Sequence, residues 1–385
     1  MAISTFKITQ RVINGVGSFA KLPEEVTAIG GTRVLLVTDP FLSKNGLAGK
    51  VVEMLKEQGI ATEIFDGVEP DPSVEVVEIA GQKGRDFKAD SVVGIGGGST
   101  LDTAKVCSVL ISNPDQSARD MLGVNNVKKP GVPTVLLPTS AGTGSEVTDL
   151  AILSDNVAKL KIGVASRYLI PTTVLLDPEL TVSLPPSATA ASGLDALIHA
   201  MEAYTSVNAT PLTDLFAEQA IKLIAPNLRS AWSRGDRLDV REAMLTGSLY
   251  AGIAFGNAGV TAVHAFAYPI GAEFHIPHGV ANSIMLVPVF RFNMNGNLTR
   301  FAKIAEFLGE DTSRDTPKEA AEKVIRHLVE LIDDLKVTRH LADYGVKAEH
   351  VADLARGVLE VKRILANNCR NLDYENACAI YTEAL

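Results

Sequence analysis

Four side chains that bind divalent metal ions well occur in two separate segments of the chain. Asp195 and His199 are four residues apart in Gly193-Leu-Asp-Ala-Leu-Ile-His-Ala-Met-Glu-Ala-Tyr204, and His264 and His278 follow later. On a helix, the i, i+4 spacing puts the carboxylate and the first imidazole on one face. One carboxylate and three imidazoles form a mixed oxygen and nitrogen set that suits Fe²⁺ or Zn²⁺, and an open coordination position would admit a substrate oxygen.

His264 and His278 can share an ion only if the helix between them breaks. In one continuous helix they would be about 21 Å apart along the axis. Residues that interrupt helices are frequent here, namely Pro269, Gly271, Pro277 and Gly279. We therefore expect His278 near the start of the next helix. The alternative is that Asp195 and His199 form an ordinary pair on a helix surface.

A glycine-rich segment predicts a phosphate site. Gly94-Ile-Gly-Gly-Gly-Ser-Thr-Leu-Asp-Thr-Ala-Lys105 follows a predicted strand and opens a predicted helix, so its backbone N–H groups would face an anion. It is neither G-x-G-x-x-G nor a P-loop, which disfavours nucleoside triphosphate hydrolysis. The alternative is a tight turn with Ser99 or Thr100 as the helix N-cap. The candidate cofactor-binding residues of this segment are Gly96, Gly97, Gly98, Ser99 and Asp102.

A second loop and one acid extend the predicted nucleotide site. Pro138-Thr-Ser-Ala-Gly-Thr-Gly-Ser-Glu146 also follows an apolar run, and its groups suit a pyrophosphate or a ribose. Asp39 follows the predicted strand 33–37, where a carboxylate would accept hydrogen bonds from a ribose diol and repel a 2′-phosphate, which favours NAD over NADP. Alternatively, Asp39 is a turn residue beside Pro40. The loop candidates are Thr139, Ser140, Thr143 and Ser145.

The elements that must position these residues differ between the two halves of the chain. In the first half, apolar β-branched runs at 33–37, 62–65, 91–95, 134–137 and 173–176 alternate with helical stretches at 44–58, 73–87 and 100–112. This alternation predicts a parallel sheet covered by helices on both faces. After Leu184-Pro-Pro186, Ala-rich helical segments dominate, so we predict a helical second half, with 187–205, 212–233, 238–257, 300–309, 316–335 and 348–363 as helices.

Composition favours chemistry on small molecules. The 385 residues carry 36 Lys and Arg against 45 Asp and Glu, a net charge of −9, with no basic cluster for nucleic acid. The apolar runs are shorter than the roughly 20 residues of a membrane span, so no membrane association is expected. The N-terminal residues do not resemble a signal peptide and the three cysteines form no disulfide framework, so we expect a cytoplasmic protein.

Taken together, the glycine loop, the second loop, the Gly193–Tyr204 segment and His264 to His278 resemble the iron-containing (group III) alcohol dehydrogenase family over nearly the whole chain. The resemblance implies a Rossmann-like NAD(P) domain over residues 1–184 and an all-α, metal-binding domain over 185–385, as in dehydroquinate synthase-like architectures. It implies metal ligands at Asp195, His199, His264 and His278 and a further cofactor contact at Lys161. It also implies a homodimer or a larger homo-oligomer.

The chain departs from many alcohol-active relatives, including those similar to lactaldehyde reductase. Such relatives carry a further His where this chain has Tyr268, an uncharged residue where it has His275, and Asn in place of Asp149. We expect a distinct, polar carbonyl substrate from these changes. His275 and Tyr268 are the candidate catalytic residues for relaying a proton; His275 either lines the pocket or is solvated. Glu202 and Glu273 are interpreted as structural acids.

The predicted reaction is the reversible, metal-dependent oxidation of a small alcohol to an aldehyde or ketone, with hydride transfer to NAD. One alternative is a hydroxyacid–oxoacid transhydrogenase, in which the nicotinamide stays bound and carries hydride between two substrates. A dehydroquinate synthase-like lyase would use a comparable layout without net change in NADH. A nucleotide-sensing binding protein would keep the glycine loops and need no metal ligands.

Overall fold

The computed structural model describes residues 3–156 and 160–385. They form two compact units, one of Ile8–Ser183 and one of residues 3–7 together with Leu184–Leu385. The sequence-based division assigns residues 3–7 to the first domain. In the structure, the backbone N–H of Lys7 donates to Asn257 Oδ1 (2.6 Å), and this segment belongs to the helical unit.

The first unit is built on a six-stranded sheet in which every strand pair is parallel. The strands are β1 (Arg11–Asn14), β2 (Arg33–Val37), β3 (Ala61–Phe65), β4 (Ser91–Gly96), β6 (Thr134–Pro138) and β9 (Thr173–Leu176). Their order across the sheet is β1-β9-β6-β4-β2-β3. Parallel strands need long crossover connections, and helices supply them here.

Both faces of this sheet are buried. Successive side chains of a strand point to opposite faces, and in β2 Leu35 and Val37 enter one apolar cluster while Val34 and Leu36 enter another. The helices of this unit are α1 (Leu22–Ala28), α2 (Pro40–Lys44), α3 (Leu47–Glu57), α4 (Val74–Phe87), α5 (Gly98–Ser112) and α6 (Ala118–Met121). Residues of α4 and α5 fill the first cluster, and residues of α1 and α3 fill the second.

A smaller sheet was not predicted from the sequence. It contains β5 (Gly123–Val124), β7 (Leu150–Asp155) and β8 (Leu160–Ala165) in the order β5-β8-β7. β7 and β8 are antiparallel, and the backbone N–H of Ile152 in β7 donates to Asp102 Oδ2 (2.8 Å). This sheet therefore braces the start of α5.

The second unit is helical. Its helices are α7 (Pro186–Thr205), α8 (Pro211–Ser233), α9 (Leu238–Ala258), α10 (Ala262–Phe274), α11 (His278–Asn293), α12 (Leu298–Phe307), α13 (Pro317–Asp334), α14 (Val351–Leu359), α15 (Lys362–Leu365) and α16 (Tyr374–Ala384). α7 is buried along most of its length and packs against α8, α9, α11 and α12. An α/β unit followed by a helical unit confirms the predicted fold class.

Within residues 3–156 and 160–385, none of the helices combines the length and the apolar character that a membrane span requires.

Candidate functional site

Three of the four predicted metal ligands form a buried cluster. Asp195 and His199 lie on α7 and His264 lies on α10, and one ligand atom of each is within 4.8 Å of those of the other two. Asp195 Oδ2 is 3.9 Å from His199 Nδ1, and Asp195 Oδ1 is 3.7 Å from His264 Nε2. The two imidazole rings stack with their centroids 4.5 Å apart. The i, i+4 pair on α7 therefore faces a third predicted ligand from another helix.

His278 lies beside this cluster because the chain breaks before it. α10 ends at Phe274, and α11 begins at His278 itself, as the sequence predicts. Pro269 stays inside α10, so the break falls at residues 275–277 instead. His278 Nε2 is 3.9 Å from Asp195 Oδ1, and the His278 side chain is 37% exposed. The fourth predicted ligand thus forms the accessible side of the cluster.

Close packing of α11 on α7 brings His278 to this position. A Cβ added to Gly279 would lie 2.6 Å from the carbonyl oxygen of Ala191 on α7, a distance that no side chain tolerates. Glycine at 279 therefore permits the first turn of α11 to touch α7, four residues before Asp195.

The donor set fits a divalent cation. His264 Nε2 is buried and has no hydrogen-bond partner among the described residues, and Asp195 Oδ1 lies 3.7 Å from it. An unpartnered buried nitrogen is costly unless a ligand engages it. Separations of 3.7–3.9 Å between donor atoms suit groups that converge on one ion with bonds of about 2.1 Å.

The protonation states of Asp195 and His199 favour cation binding. Burial raises the pKa of Asp195, but the three imidazoles and a hydrogen bond from Asn282 outweigh it, and the pKa of the carboxyl is lowered overall. Burial lowers the pKa of His199 to about 4, so its imidazole is neutral near pH 7. An ionised carboxylate and a neutral imidazole are the forms that bind metals.

Glu202, which the sequence analysis interprets as structural, contacts one of these ligands. Its Oε2 is hydrogen-bonded to His264 Nδ1, and its Oε1 accepts hydrogen bonds from Thr261 Oγ1 (2.6 Å) and the N–H of Val263 (2.7 Å). The signal that points to it in the sequence is spacing, because Asp195, His199 and Glu202 follow an i, i+4, i+7 pattern on one helix face.

The two proton-relay candidates lie in different surroundings. Tyr268 on α10 is half-buried, and its ring centroid is 6.4 Å from that of His278. Burial raises the pKa of the Tyr268 hydroxyl, so it stays protonated at neutral pH. His275 ends α10 in a left-handed conformation (φ 54°), is exposed, and lies outside the buried cluster. Glu273 is exposed as well.

In the α/β unit, the predicted phosphate-binding segments lie at one edge of the sheet. β2, β4 and β6 are neighbours and parallel, so their carboxyl ends coincide, and Gly96 pairs with Pro138 in register. The N–H of Thr139 donates to the carbonyl of Gly96 (2.9 Å). The carboxyl edge of an open parallel sheet is where ligands bind in such folds.

The glycine loop leaves the start of α5 without a side-chain cap. α5 begins at Gly98 and its N-cap is Gly97, so neither Ser99 nor Thr100 is the cap. A Cβ on Gly98 would lie 2.5 Å from the Thr143 side chain, and one on Gly97 would lie 3.5 Å from Ser140 Oγ. The two predicted loops therefore touch, and the N–H groups of the first helical turn suit an anion.

Two of the predicted cofactor residues are bonded to each other. Ser145 Oγ donates to Asp102 Oδ1 (2.5 Å), and Lys105 Nζ, which is buried, contacts Asp102 (3.2 Å) and the carbonyl of Ser145 (2.9 Å). The carbonyl of Leu150 is a further partner of Lys105. Asp102, Lys105 and Ser145 thus connect α5 to the second loop.

The remaining candidates flank the glycine loop. Asp39 caps α2, its Oδ1 accepting from the N–H groups of Phe41 and Leu42 (2.9 Å each), so it has the bonds of a turn residue. Lys161 forms an ion pair with Asp71 (2.8 Å), and the N–H of Asp71 donates to Ser99 Oγ (3.2 Å). Lys161 is therefore linked to the glycine loop through one residue.

Known protein families match both the α/β unit and the helical unit of this chain. A family model for "Iron-containing alcohol dehydrogenase" matches residues 9–178, and one for "Fe-containing alcohol dehydrogenase family, C-terminal" matches residues 189–385. Long-chain-alcohol dehydrogenase 1 of Geobacillus thermodenitrificans is 39% identical over 373 residues, which are 96% of this chain and 94% of the relative.

Solved structures of related enzymes are similar to this chain over its whole length. A 1,3-propanediol oxidoreductase superposes with a TM-score of 0.96 at 36% identity, covering 100% of both chains. Sulfoacetaldehyde reductase from Bifidobacterium kashiwanohense, solved in complex with NAD⁺, superposes with a TM-score of 0.90 at 27% identity, covering 100% of this chain and 99% of that one. The three names describe a dehydrogenase, an oxidoreductase and a reductase, so they do not favour the transhydrogenase alternative.

These matches confirm the predicted enzyme class, an oxidoreductase of the iron-containing alcohol dehydrogenase type. The chain belongs to the iron-containing alcohol dehydrogenase family.

Proposed function

We propose that this enzyme interconverts a small alcohol and its aldehyde or ketone with NAD⁺/NADH and one Fe²⁺ held by Asp195, His199, His264 and His278. Zn²⁺ is the alternative ion, since imidazole and carboxylate suit both. The observation that carries the proposal is the buried ligand cluster, in which His264 Nε2 has no hydrogen-bond partner among the described residues and faces Asp195 at 3.7 Å.

When bound, the cation supplies Lewis acidity toward the alcohol oxygen and the nicotinamide supplies a hydride acceptor. The chain's own residues supply binding and orientation. Asp195, His199 and His264 hold the ion from the buried side, and His278 holds it from the accessible side. The half-exposed His278 then borders the position that an alcohol would enter.

We assign NAD binding to the sheet edge of the α/β unit. The uncapped first turn of α5 at Gly97, Gly98 and Ser99 binds the pyrophosphate, with Thr139, Ser140 and Thr143 alongside. Asp39 Oδ2 accepts hydrogen bonds from the ribose, since its bonds to α2 use Oδ1. The NAD⁺ in the sulfoacetaldehyde reductase structure supports this choice of cofactor. In this proposal the α/β unit, Ile8–Ser183, is the dinucleotide-binding domain and the helical unit is the metal-binding domain.

Some candidates receive supporting roles. Asp102 and Ser145 hold the two loops together, because Ser145 Oγ donates a hydrogen bond to Asp102 Oδ1. Lys161 supports Ser99 through Asp71. For the proton that leaves the alcohol, Tyr268 is favoured over His275, because its ring centroid is 6.4 Å from that of His278 whereas His275 is exposed. A protonated hydroxyl can only relay this proton: its oxygen accepts one proton while its own proton passes to a further acceptor.

The substrate is proposed as a class only. The similar proteins are named for a long-chain alcohol, 1,3-propanediol and sulfoacetaldehyde, so the family reaches both apolar and polar substrates. Tyr268 and His275 favour a polar carbonyl compound in this chain. A panel of alcohols and aldehydes assayed with NAD⁺ and NADH would identify it.

The experiment that tests the function is substitution of one ligand. In Fe²⁺-loaded protein, His264→Ala should reduce turnover at least about 100-fold while NAD⁺ affinity stays unchanged, because the ligand is lost and the nucleotide loops are not touched. His327→Ala is the matched control: His327 lies on α13, bonds to Glu310 (2.8 Å), and should leave turnover intact. Full activity of His264→Ala would refute the assignment.

We further propose a cytoplasmic homodimer or larger homo-oligomer. The three cysteines, Cys107, Cys369 and Cys378, are all free, which suits a reducing compartment. Light scattering coupled to gel filtration should give at least twice the 40.9 kDa chain mass, and cell fractionation should recover the enzyme with cytoplasmic markers.

A further inference from the structure

Glu202 is a fully buried carboxylate that contacts a proposed metal ligand without belonging to the ligand set. It lies on α7, three residues after His199, with an exposed fraction of 0%. Its two oxygens have separate partners: Oε1 accepts from Thr261 and Val263 at the start of α10, and Oε2 contacts His264 Nδ1.

These bonds fix which nitrogen of His264 carries a proton. Oε1 already accepts from Thr261 Oγ1 and the N–H of Val263, and Oε2 lies within hydrogen-bond distance of His264 Nδ1. A carboxylate oxygen accepts hydrogen bonds, so Nδ1 of His264 donates to it. In the neutral ring the lone pair then lies on Nε2, which is unpartnered among the described residues and 3.7 Å from Asp195 Oδ1.

We propose that Glu202 is a positioning residue of the metal centre: it holds the proton on Nδ1 of His264 and thereby presents Nε2 to the cation. This inference rests on the proposed metal site. Hydrogen bonding from a ligating imidazole to a carboxylate fixes ring orientation and increases ligand basicity, and its loss weakens metal affinity about 10- to 100-fold in other proteins.

The competing explanation is that Glu202 serves only the fold. Its bonds to Thr261, the N-cap of α10, and to Val263 tie the start of that helix to α7. A purely structural role would act through Oε1 and would not depend on the imidazole of His264. The two explanations therefore differ in whether His264 mediates the effect on the metal.

The first test is Zn²⁺ titration of the metal-free protein by calorimetry, comparing wild type with Glu202→Gln. The glutamine oxygen can still accept from Thr261 and Val263, which turns its NH₂ group toward His264 Nδ1. That nitrogen must then accept, and the proton moves to Nε2. We expect Zn²⁺ affinity to fall about 10- to 100-fold, and unchanged affinity would overturn the proposal.

Two control variants separate this effect from general damage. Glu146→Gln makes the same change at a buried carboxylate of the α/β unit and should leave Zn²⁺ affinity within about twofold of wild type. Thr261→Val removes one bond to Oε1 and keeps the contact between Glu202 and His264, so its affinity should also be close to wild type. A loss in Thr261→Val as large as that in Glu202→Gln would favour the structural role and overturn the proposal.

A double-substitution cycle tests whether His264 is the mediator. In a His264→Ala background, Glu202→Gln should cause no further loss of Zn²⁺ affinity, because the ring that it orients is gone. An equal further loss in that background would overturn the proposal. If wild type itself binds no Zn²⁺, the proposed metal site is wrong. If wild type binds Zn²⁺ and Glu202→Gln binds it equally well, only the proposed role of Glu202 is wrong.

A measurement on wild type covers the case in which Glu202→Gln does not fold. The chain has only seven histidines, so ¹⁵N-imidazole labelling gives a tractable spectrum. His264 is assigned by the signal that disappears in His264→Ala. In the Zn²⁺-loaded protein we expect a slowly exchanging proton on Nδ1 of His264 and metal at Nε2. Metal at Nδ1 with the proton on Nε2 would overturn the proposal.

Discussion

Glu146 is a carboxyl group whose surroundings oppose its ionisation. It lies in the second loop with 2% of its surface exposed, and its Oε1 has no hydrogen-bond partner among the described residues. Burial raises its pKa to about 7, although a backbone hydrogen bond and Lys105 act in the opposite direction. Around Asp195, by contrast, the imidazoles overcome burial. The groups around Glu146 do not outweigh the effect of burial on its pKa, whereas those around Asp195 do.

The raised pKa of Glu146 predicts a pH dependence of stability. Between an ordinary value near 4.5 and the folded value of about 7, the folded state binds more protons than the unfolded state. The free energy of unfolding therefore falls as pH rises through this window, by on the order of 1–3 kcal/mol. Urea denaturation of wild type and Glu146→Gln at pH 5 and pH 8 measures it.

Glu146→Gln should abolish that contribution, because the amide does not ionise. The difference in unfolding free energy between variant and wild type should move in favour of the variant from pH 5 to pH 8. A difference that stays constant with pH would contradict the assigned pKa shift.

At the scale of residues, the sequence was sufficient to propose the metal ligands and insufficient to assign their neighbours. Asp195 and His199 follow from helical spacing, and interruption of the helix before His278 follows from Pro277. The contact between Glu202 and His264 could not be predicted from the sequence, because it joins α7 to α10 across 62 residues. The hydrogen bond between Asp102 and Ser145 could not be predicted either, because it joins α5 to the second loop.

At the scale of elements, two close contacts join the first turns of α5 to the second loop of the α/β unit. One is the approach of the glycine loop to the second loop, where Gly98 lies against Thr143. The other is the buried ammonium of Lys105, which bonds to Asp102 and to carbonyl groups of Ser145 and Leu150. Both hold the loops that we assign to the cofactor.

The approach at Gly98 predicts a loss of cofactor affinity. In Gly98→Ala, the new Cβ would lie 2.5 Å from Thr143, so the two loops must separate. We expect NAD⁺ affinity, measured by fluorescence titration, to fall at least about tenfold because the backbone N–H groups no longer converge on the pyrophosphate.

Gly49→Ala is the matched control. Gly49 is exposed on α3, and an added Cβ meets nothing within 4 Å. It should keep NAD⁺ affinity and stabilise the helix by about 0.5–1 kcal/mol. Equal NAD⁺ affinity in both variants would argue against the glycine loop as the pyrophosphate site.

The buried ammonium predicts a large loss of stability. Lys105→Met leaves Asp102 and the carbonyls without their cation, and we expect the free energy of unfolding to fall by about 3–5 kcal/mol. Lys83→Met removes an exposed pair with Glu63 (2.9 Å) and should cost about 0–1 kcal/mol. Similar losses of unfolding free energy in the two variants, measured by urea denaturation, would mean that burial does not increase the contribution of Lys105 to stability.

The strands and helices were predictable where the apolar pattern was long. β2 and β9 have the predicted bounds, and α4 and α5 differ from prediction by one or two residues. The small sheet of β5, β7 and β8 was missed. β5 has only two residues, and the β7 sequence Leu-Ala-Ile-Leu-Ser-Asp does not alternate between apolar and polar residues, although its burial alternates along the strand. Pro269 did not end α10, since a proline inside a helix costs one hydrogen bond that packing can offset.

The two units of the molecule carry different proposed ligands, and this predicts where each ligand should protect the backbone. By hydrogen exchange, Zn²⁺ alone should slow exchange in α7, α10 and α11, which carry the ligand cluster. NAD⁺ alone should slow exchange at Gly94–Lys105 and at residues 138–146. Protection by NAD⁺ confined to the helical unit would contradict the domain assignment.

At the scale of the whole molecule, the sequence predicted the order of an α/β and a helical part, because β-branched runs give way to Ala-rich helices after Leu184. It did not predict that residues 3–7 join the helical unit. That placement depends on the hydrogen bonds between Lys7 and Asn257, which are 250 residues apart in the chain.

The most direct test of the central proposal is a crystal structure of the metal-loaded enzyme with anomalous scattering recorded at the iron or zinc absorption edge. The proposal predicts one anomalous peak, with an oxygen of Asp195 and imidazole nitrogens of His199, His264 and His278 at about 2.0–2.2 Å. A peak elsewhere, or an ion that leaves His264 Nε2 unbound, would contradict it.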